Sequence, residues 1–113
     1  MKSIRRVFLI LTLLLPATLL VSSASLAETK IEATIFSYDG EDFVRTTTTL
    51  SAEGQAATGT KLDRDSSAYK ALVEKRSYTG PATILGGDYQ ANYAPLTGAD
   101  GQLTGALFVG VPK

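Results

Sequence analysis

The sequence predicts an α+β domain built on one antiparallel sheet. Three observations carry that reading. Two segments of strand character, Lys30 to Tyr38 and Phe43 to Leu50, flank the turn dipeptide Asp39-Gly40. A helix signal follows Asp65-Ser66-Ser67. Three more strand segments complete the chain, and the last of them, from Leu103 to Val111, is nearly apolar on both faces.

In the first strand Ile31, Ala33 and Ile35 alternate with Glu32, Thr34 and Phe36, the two-residue period of a pleated strand. Asp39-Gly40 is a strong turn signal. The segment from Phe43 to Leu50 resumes with β-branched residues, which pack well on a pleated surface, so the two strands make a hairpin. Residues from Ser51 to Thr58 are polar and rich in Gly and Ala, a loop composition. Asp65, Ser66 and Ser67 supply side-chain oxygens that can cap a helix running to Arg76. Ala68 and Leu72, like Tyr69 and Val73, lie four apart and form an apolar stripe. Lys75 and Arg76 fall in the last turn, where the helix dipole favours cations, and Gly80-Pro81 prevents continuation. Pro81 to Gly86 and Asp88 to Ala94 read as strands separated at Gly86-Gly87, and Thr97 to Gly101 reads as a turn. In the final strand Leu103, Leu107, Val109 and Val111 alternate with Thr104, Ala106, Phe108 and Gly110. An apolar character on both faces places this strand centrally, with Leu107 in the core.

The N-terminus reads differently. Lys2, Arg5 and Arg6 precede an apolar run from Val7 to Leu15, extended past Pro16 to Val21, and Ser25-Leu26-Ala27 sets small residues where a signal peptidase reads. This is the pattern of a signal peptide over residues 1–27. The apolar run falls short of the ~20 residues of a spanning helix, and one domain is left over residues 28–113. That domain carries eight basic against eleven acidic residues, a net charge of −3, which suits a soluble export product and disfavours nucleic acid or an anionic membrane as partner. With no cysteine, the domain has neither disulfides nor an N-terminal lipid anchor. It relies on a core that buries only about 60% of the unfolded-chain surface at this size.

Catalytic arrangements are few. Without histidine or cysteine, Ser-His-Asp and Cys-His sites are impossible, and a zinc site would need carboxylates alone. Asp39, Glu41 and Asp42 cluster in a tight turn, lack the spacing of a calcium loop, and read as turn acids. Asp63 and Asp65 read as caps. Gly86-Gly87 lacks the Lys-Ser or Lys-Thr of a phosphate loop. The chain is therefore expected to be no enzyme and to hold no metal or cofactor. Binding is the better prospect. Arg45 lies in an apolar and threonine-rich strand; buried, it needs an anion or carboxylate, and exposed, it needs none. Both readings stand on the strand pattern. Tyr89, Ala91 and Tyr93 share one face of their strand, Gln90 and Asn92 the other. Tyr78, Tyr89 and Tyr93 read equally as core rings with rim hydroxyls and as pocket walls.

Three segments together carry a resemblance: Asp39-Gly40-Glu41-Asp42-Phe43-Val44-Arg45 with the threonine-rich strand behind it; Gly59-Thr60-Lys61-Leu62-Asp63-Arg64 leading through a short helix to Tyr78-Thr79-Gly80-Pro81-Ala82-Thr83; and the run from Asp100 to Val111. In this order, from about Ala33 to the C-terminus, they resemble the single-Cache (Cache 3/Cache 2 fusion) extracytoplasmic sensor domains of bacterial chemoreceptors and sensor kinases. The resemblance implies a PAS-like five-stranded sheet in the order 2-1-5-4-3. Family members add a long N-terminal helix; here the first strand follows the leader almost directly, which leaves one sheet face short of cover and a partner subunit as one source of it. The chain ends where such receptors enter a second membrane helix, which sets up the expectation of a free periplasmic protein or of a sensor module without its signalling half.

In carboxylate-binding relatives the arginine after the first turn contacts the ligand, with a polar residue three positions later. Those positions are Arg45 and Thr48. Strict alternation puts Arg45 and Thr47 on one face, and Thr48 joins only through a bulge. The second cation of such relatives is absent near Asn92, and Pro81 stands where many have a basic residue. The expected site is therefore Arg45, Thr47, Thr48, Tyr78, Tyr89 and Tyr93, taking a small monocarboxylate, an amino acid or a neutral polar ligand. The leading expectation is a periplasmic sensing module that feeds signal transduction or chemotaxis through a membrane receptor or sensor kinase. The alternative is a non-sensing interaction protein that docks on and regulates another protein; a third is a small secreted inhibitor or an enzyme of unrecognised type. Mass spectrometry of the exported chain should find Glu28 at its N-terminus, and a full-length chain confined to membranes would contradict the leader reading.

Overall fold

A computed structural model describes residues 30–113; the expected leader over 1–27 lies outside the described residues. β1 (Glu32–Tyr38) and β2 (Phe43–Thr48) form the expected hairpin. Its turn is built by Asp39, whose Oδ1 accepts the N–H groups of Glu41 (2.9 Å) and Asp42 (2.8 Å), while Gly40 takes φ 100°, a conformation that suits a residue without Cβ. The expected loop contains a two-residue ladder, β3 (Ser51–Ala52) with β4 (Gln55–Ala56). β5 (Tyr78–Ile84), β6 (Gly87–Thr97) and β7 (Leu103–Pro112) complete the main sheet. Its order is β2-β1-β7-β6-β5, antiparallel throughout. Counting only its five strands along the chain, this is the 2-1-5-4-3 order of a PAS-like Cache sheet, and β7 is central.

β5 begins at Tyr78 rather than Pro81 and β6 runs on to Thr97 rather than ending at Ala94, and two further boundaries differ from the sequence reading for local reasons. The β5–β6 turn sits one residue early, at Leu85 (φ 51°) and Gly86 (φ 84°), both left-handed as a two-residue hairpin turn requires. Helix α1 covers Ser67–Leu72 rather than reaching Arg76. Ser66 is its N-cap, accepting the Tyr69 N–H. At the other end Lys75 adopts φ 62°, and the N–H groups of Lys75 and Arg76 turn back to Leu72 O (2.8 Å) and Ala71 O (2.9 Å). That is a Schellman closure with a lysine where glycine is preferred. Among the described residues no helix is long and apolar enough to cross a membrane.

The sheet faces are assigned against the aliphatic pattern. Glu32, Thr34 and Phe36 are buried, while Ile31 and Ile35 are exposed. In β7, Ala106, Phe108 and Gly110 face inward, and Leu107 is 40% exposed, so the expectation of a core Leu107 is corrected. Ring size decides the orientation. The inner face carries Phe36, Phe43, Tyr93 and Phe108, which pack with Leu72 and Ala68 of α1; the Tyr93 and Phe108 ring centroids are 5.0 Å apart. Glycines make room for rings two residues away on the same face. A Cβ at Gly110 would lie 2.7 Å from the Phe108 ring, and one at Gly80 would lie 2.9 Å from the Tyr78 hydroxyl.

In dilute chemical denaturation Phe108→Ala should cost about 3–5 kcal/mol and Leu107→Ala less than about 1.5 kcal/mol; equal costs would contradict the face assignment. Lys75→Gly should raise stability by roughly 0.5–1 kcal/mol by relieving the left-handed position.

Candidate functional site

The site begins with one extra residue in β2. Phe36 stands opposite Arg45, Ile35 opposite Thr47 and Thr34 opposite Thr48, which leaves Thr46 without a partner in the register. This is a β-bulge, and it shifts the alternation by one. Thr46 donates its hydroxyl to Ile35 O (2.9 Å). Arg45 and Thr48 therefore share the inner face and Thr47 points to the other, which corrects the pairing of Arg45 with Thr47. Thr48 is nevertheless occupied. Its Oγ1 lies 2.7 Å from that of Thr34 and accepts the Leu50 N–H, and it does not line the cleft described below.

The bulged strand takes residues 59–62 along its free edge. Arg45 N–H donates to Thr60 O (2.8 Å), Gly59 N–H to Arg45 O (2.7 Å) and Leu62 N–H to Phe43 O (2.9 Å). This cover buries the Arg45 side chain to 3% exposure, which decides between the two readings of this residue. One guanidinium nitrogen, Nη1, donates to Thr60 Oγ1 (3.0 Å) and Lys61 O (3.1 Å). Cζ lies 5.3 Å from the centroid of the Phe36 ring, a cation–π distance. Nε is buried without a hydrogen-bond partner, and among the described residues no carboxylate pairs with Arg45. Burial lowers the pKa of the group, yet a guanidinium stays charged at physiological pH. A desolvated charge that uses only one of its three nitrogens calls for an anion.

Arg45 opens on a cleft of about 590 Å³. Tyr93 and Tyr78 line it, together with residues 61–63, the start of α1 and the β5–β6 turn. Burial pushes the Tyr93 hydroxyl up to about 12, against the charge of Arg45, so it is a neutral donor at working pH. Tyr78 already donates to Pro81 O (2.6 Å) and offers the cleft its oxygen as an acceptor. Tyr89 does not join them. It faces a separate depression of about 140 Å³ beside Asp88 and Lys113, which corrects its place in the expected site.

Three charged residues on the cleft wall were not among the expected site residues. Lys61 lines the cleft, but its ammonium lies 3.4 Å from Asp42 Oδ2. Asp63 and Asp65 also line it, and Asp63 Oδ1 accepts the Asp65 N–H (2.9 Å). They follow no strand or helix period, so only their place in the second segment of the resemblance pointed to them. The wall is tied down by Arg64, which binds Asp42 in bidentate fashion through Nε and Nη2, both at 2.8 Å. Tyr69 of α1 donates to Glu41 O (2.5 Å) in the same turn. Arg64 holds the Asp42 carboxyl down at about 2. The acidic turn is thus an anchor for the cleft wall. Among the described residues no group of three or more acidic side chains is placed to hold a metal ion.

Residues 18–113 match a family model described as the Cache 3/Cache 2 fusion domain. No curated protein and no solved structure matches the chain.

The Asp42 carboxyl is depressed from 3.8 to about 2 in the folded chain. A depressed carboxylate stabilises the fold fully above its unfolded pKa, and that contribution is lost as pH falls through the folded value. Denaturation midpoints should therefore fall between about pH 4 and pH 2. Asp42→Asn should be less stable at neutral pH and show a shallower decline over that window; an unchanged profile would contradict the anchoring role.

Proposed function

Because this chain belongs to the Cache 3/Cache 2 fusion family, a family of extracytoplasmic sensing modules, we propose that the cleft at Arg45 is its ligand site and that the ligand is a small monocarboxylate or an amino acid. The single observation that carries this reading is the buried Arg45 side chain, with Nε unused and no carboxylate beside it. A ligand carboxylate supplies both the counter-charge and the missing acceptor, in the planar geometry a guanidinium favours. The Tyr93 hydroxyl adds a neutral donor. Size and charge narrow the class further. Lys61 is engaged by Asp42, whereas Asp63 and Asp65 present negative charge to the cleft. A second or third ligand carboxylate meets repulsion there, and an ammonium group meets attraction. In this reading the module acts in the periplasm and passes occupancy to a membrane receptor or sensor kinase in chemotaxis or signal transduction. The alternative, a module that docks on another protein without sensing a metabolite, draws support from the exposed aliphatic residues of the outer sheet face.

A thermal-shift screen should find stabilisation by monocarboxylates or amino acids and much less by citrate. Arg45→Ala should weaken the best hit by roughly 2–5 kcal/mol, at least tenfold in affinity. A hit that Arg45→Ala binds as tightly as the unsubstituted chain would refute the site. A screen without any hit would favour the docking alternative.

A further inference from the structure

The Arg45 cleft carries charge of opposite sign at its buried floor and at its exposed rim. At the floor the guanidinium is 3% exposed and its Nε has no partner. At the rim Asp63 and Asp65 line the cleft and are exposed. Among the described residues neither acid enters an ion pair. Lys61 shares their wall, but its ammonium is turned to Asp42 at 3.4 Å. The chain itself sets the spacing from floor to rim. Lys61 O accepts from Arg45 Nη1, and Asp63 follows two residues later, about 6.6 Å on at the strand rise of about 3.3 Å per residue. The β5 side of the cleft is mostly apolar, with Pro81, Ala82, Ile84 and Leu85. Leu85 is 45% exposed and holds φ 51°, a left-handed position that disfavours side chains of its size. An aliphatic side chain is thus kept at the rim against backbone preference.

We propose, resting on the ligand reading of this cleft, that its ligand is a short ω-amino carboxylate. The carboxylate sits on Arg45, the methylenes run along Pro81, Ala82 and Leu85, and the terminal ammonium lies at Asp63 and Asp65. Distance separates this class from the α-amino acids. In an α-amino acid the nitrogen is two bonds, about 2.5 Å, from the carboxyl carbon. With the carboxylate on Arg45, that ammonium would stand beside a desolvated cation, where like charges repel most strongly. No carboxylate lies within ion-pair distance of Arg45 among the described residues to offset the repulsion. Four or five bonds carry the ammonium about 5–6 Å from the carboxyl carbon in an extended chain. It then leaves the floor and reaches the rim, where solvent and two carboxylates stabilise it. Ion pairs at an exposed rim are individually weak, so two acids and the relief of repulsion together set a preference of about tenfold. Size agrees. The cleft of about 590 Å³ falls within the range of small-molecule sites, and a carboxylate on Arg45 leaves most of it for the spine. Methylenes gain by leaving water for the apolar β5 side.

The test is calorimetric titration of the purified full chain with butanoate, 2-aminobutanoate and 4-aminobutanoate, and with pentanoate, 2-aminopentanoate and 5-aminopentanoate. Within each set the two amino isomers share their atoms and net charge, so only the place of the ammonium differs. The ω-amino acid of at least one set should bind about tenfold tighter than its 2-amino isomer and than its parent acid. Asp63→Asn combined with Asp65→Asn should bring that ω-amino acid down to the affinity of the parent acid, whose own binding is unchanged or tighter. Asparagine keeps the side-chain oxygen that accepts the Asp65 N–H. Asp65→Asn alone leaves Asp63 in place and should give part of the loss, which keeps the test valid if the double substitution folds poorly. A 2-amino isomer or parent acid that binds as tightly as both ω-amino acids would overturn the proposal, as would a preference that survives the asparagine substitutions. If Arg45→Ala still abolishes binding in those cases, the carboxylate site stands and the reach to Asp63 and Asp65 is wrong. Binding of none of these acids, or binding indifferent to Arg45→Ala, would sink the site and the ω-amino class with it.

Discussion

One extra residue in β2 sets the geometry on which the site depends. Without the bulge at Thr46, Arg45 and Thr47 would share a face and Thr48 would lie behind them. With it, Arg45 and Thr48 point inward together. The inward Arg45 is covered by residues 59–62 along the edge of β2, and the same segment then becomes the cleft wall. The wall is fixed in turn by Arg64 on Asp42, which returns the chain to the β1–β2 turn where the bulged hairpin starts. Hairpin, edge cover and wall therefore form a closed loop of dependencies, with a desolvated cation at its centre.

A domain of this size has little core with which to hold such a charge. Its core concentrates four large, fully buried side chains, Phe43, Tyr93 and Phe108 on the sheet and Leu72 on α1, and uses glycines at 80 and 110 so that rings can lie flat over the backbone. The buried guanidinium is kept partly satisfied by Thr60 and the Lys61 carbonyl and by the face of Phe36. This partial satisfaction lets the unliganded chain fold while leaving the Nε and Nη2 donors for an incoming acceptor.

The first hairpin, the central place of the last strand and the helix start were legible because they depend on local chemistry, whereas the strand order came from the family resemblance alone. Asp39-Gly40 dictates a turn, Ser66 dictates a cap, and a strand apolar on both sides belongs in the centre. The faces of β1 and β7 were not legible from hydropathy: both sides of β7 are apolar, β1 buries Glu32 and Thr34 beside Phe36 while its aliphatic side faces out, and ring size, a packing property, makes the choice. The early helix end was hidden because Lys75 adopts a conformation that glycine signals and lysine does not. Within the site, Arg45, Tyr78 and Tyr93 line one cleft. Thr47 and Tyr89 fall elsewhere because a bulge and a neighbouring depression are tertiary events. Asp63 and Asp65 were readable only as local caps, because nothing in the sequence shows that their other side faces the cleft.

The central claim is that the unused donors of the Arg45 guanidinium, on Nε and Nη2, are the groups a ligand carboxylate satisfies. Nuclear magnetic resonance of the arginine side chains tests it directly, by following the Arg45 Nε–H signal during titration with a bound monocarboxylate or amino acid. The account predicts a large downfield movement and slowed exchange of that signal at saturation, as a new hydrogen bond forms on Nε. A ligand that saturates the protein while the Arg45 Nε–H signal stays in place would contradict it.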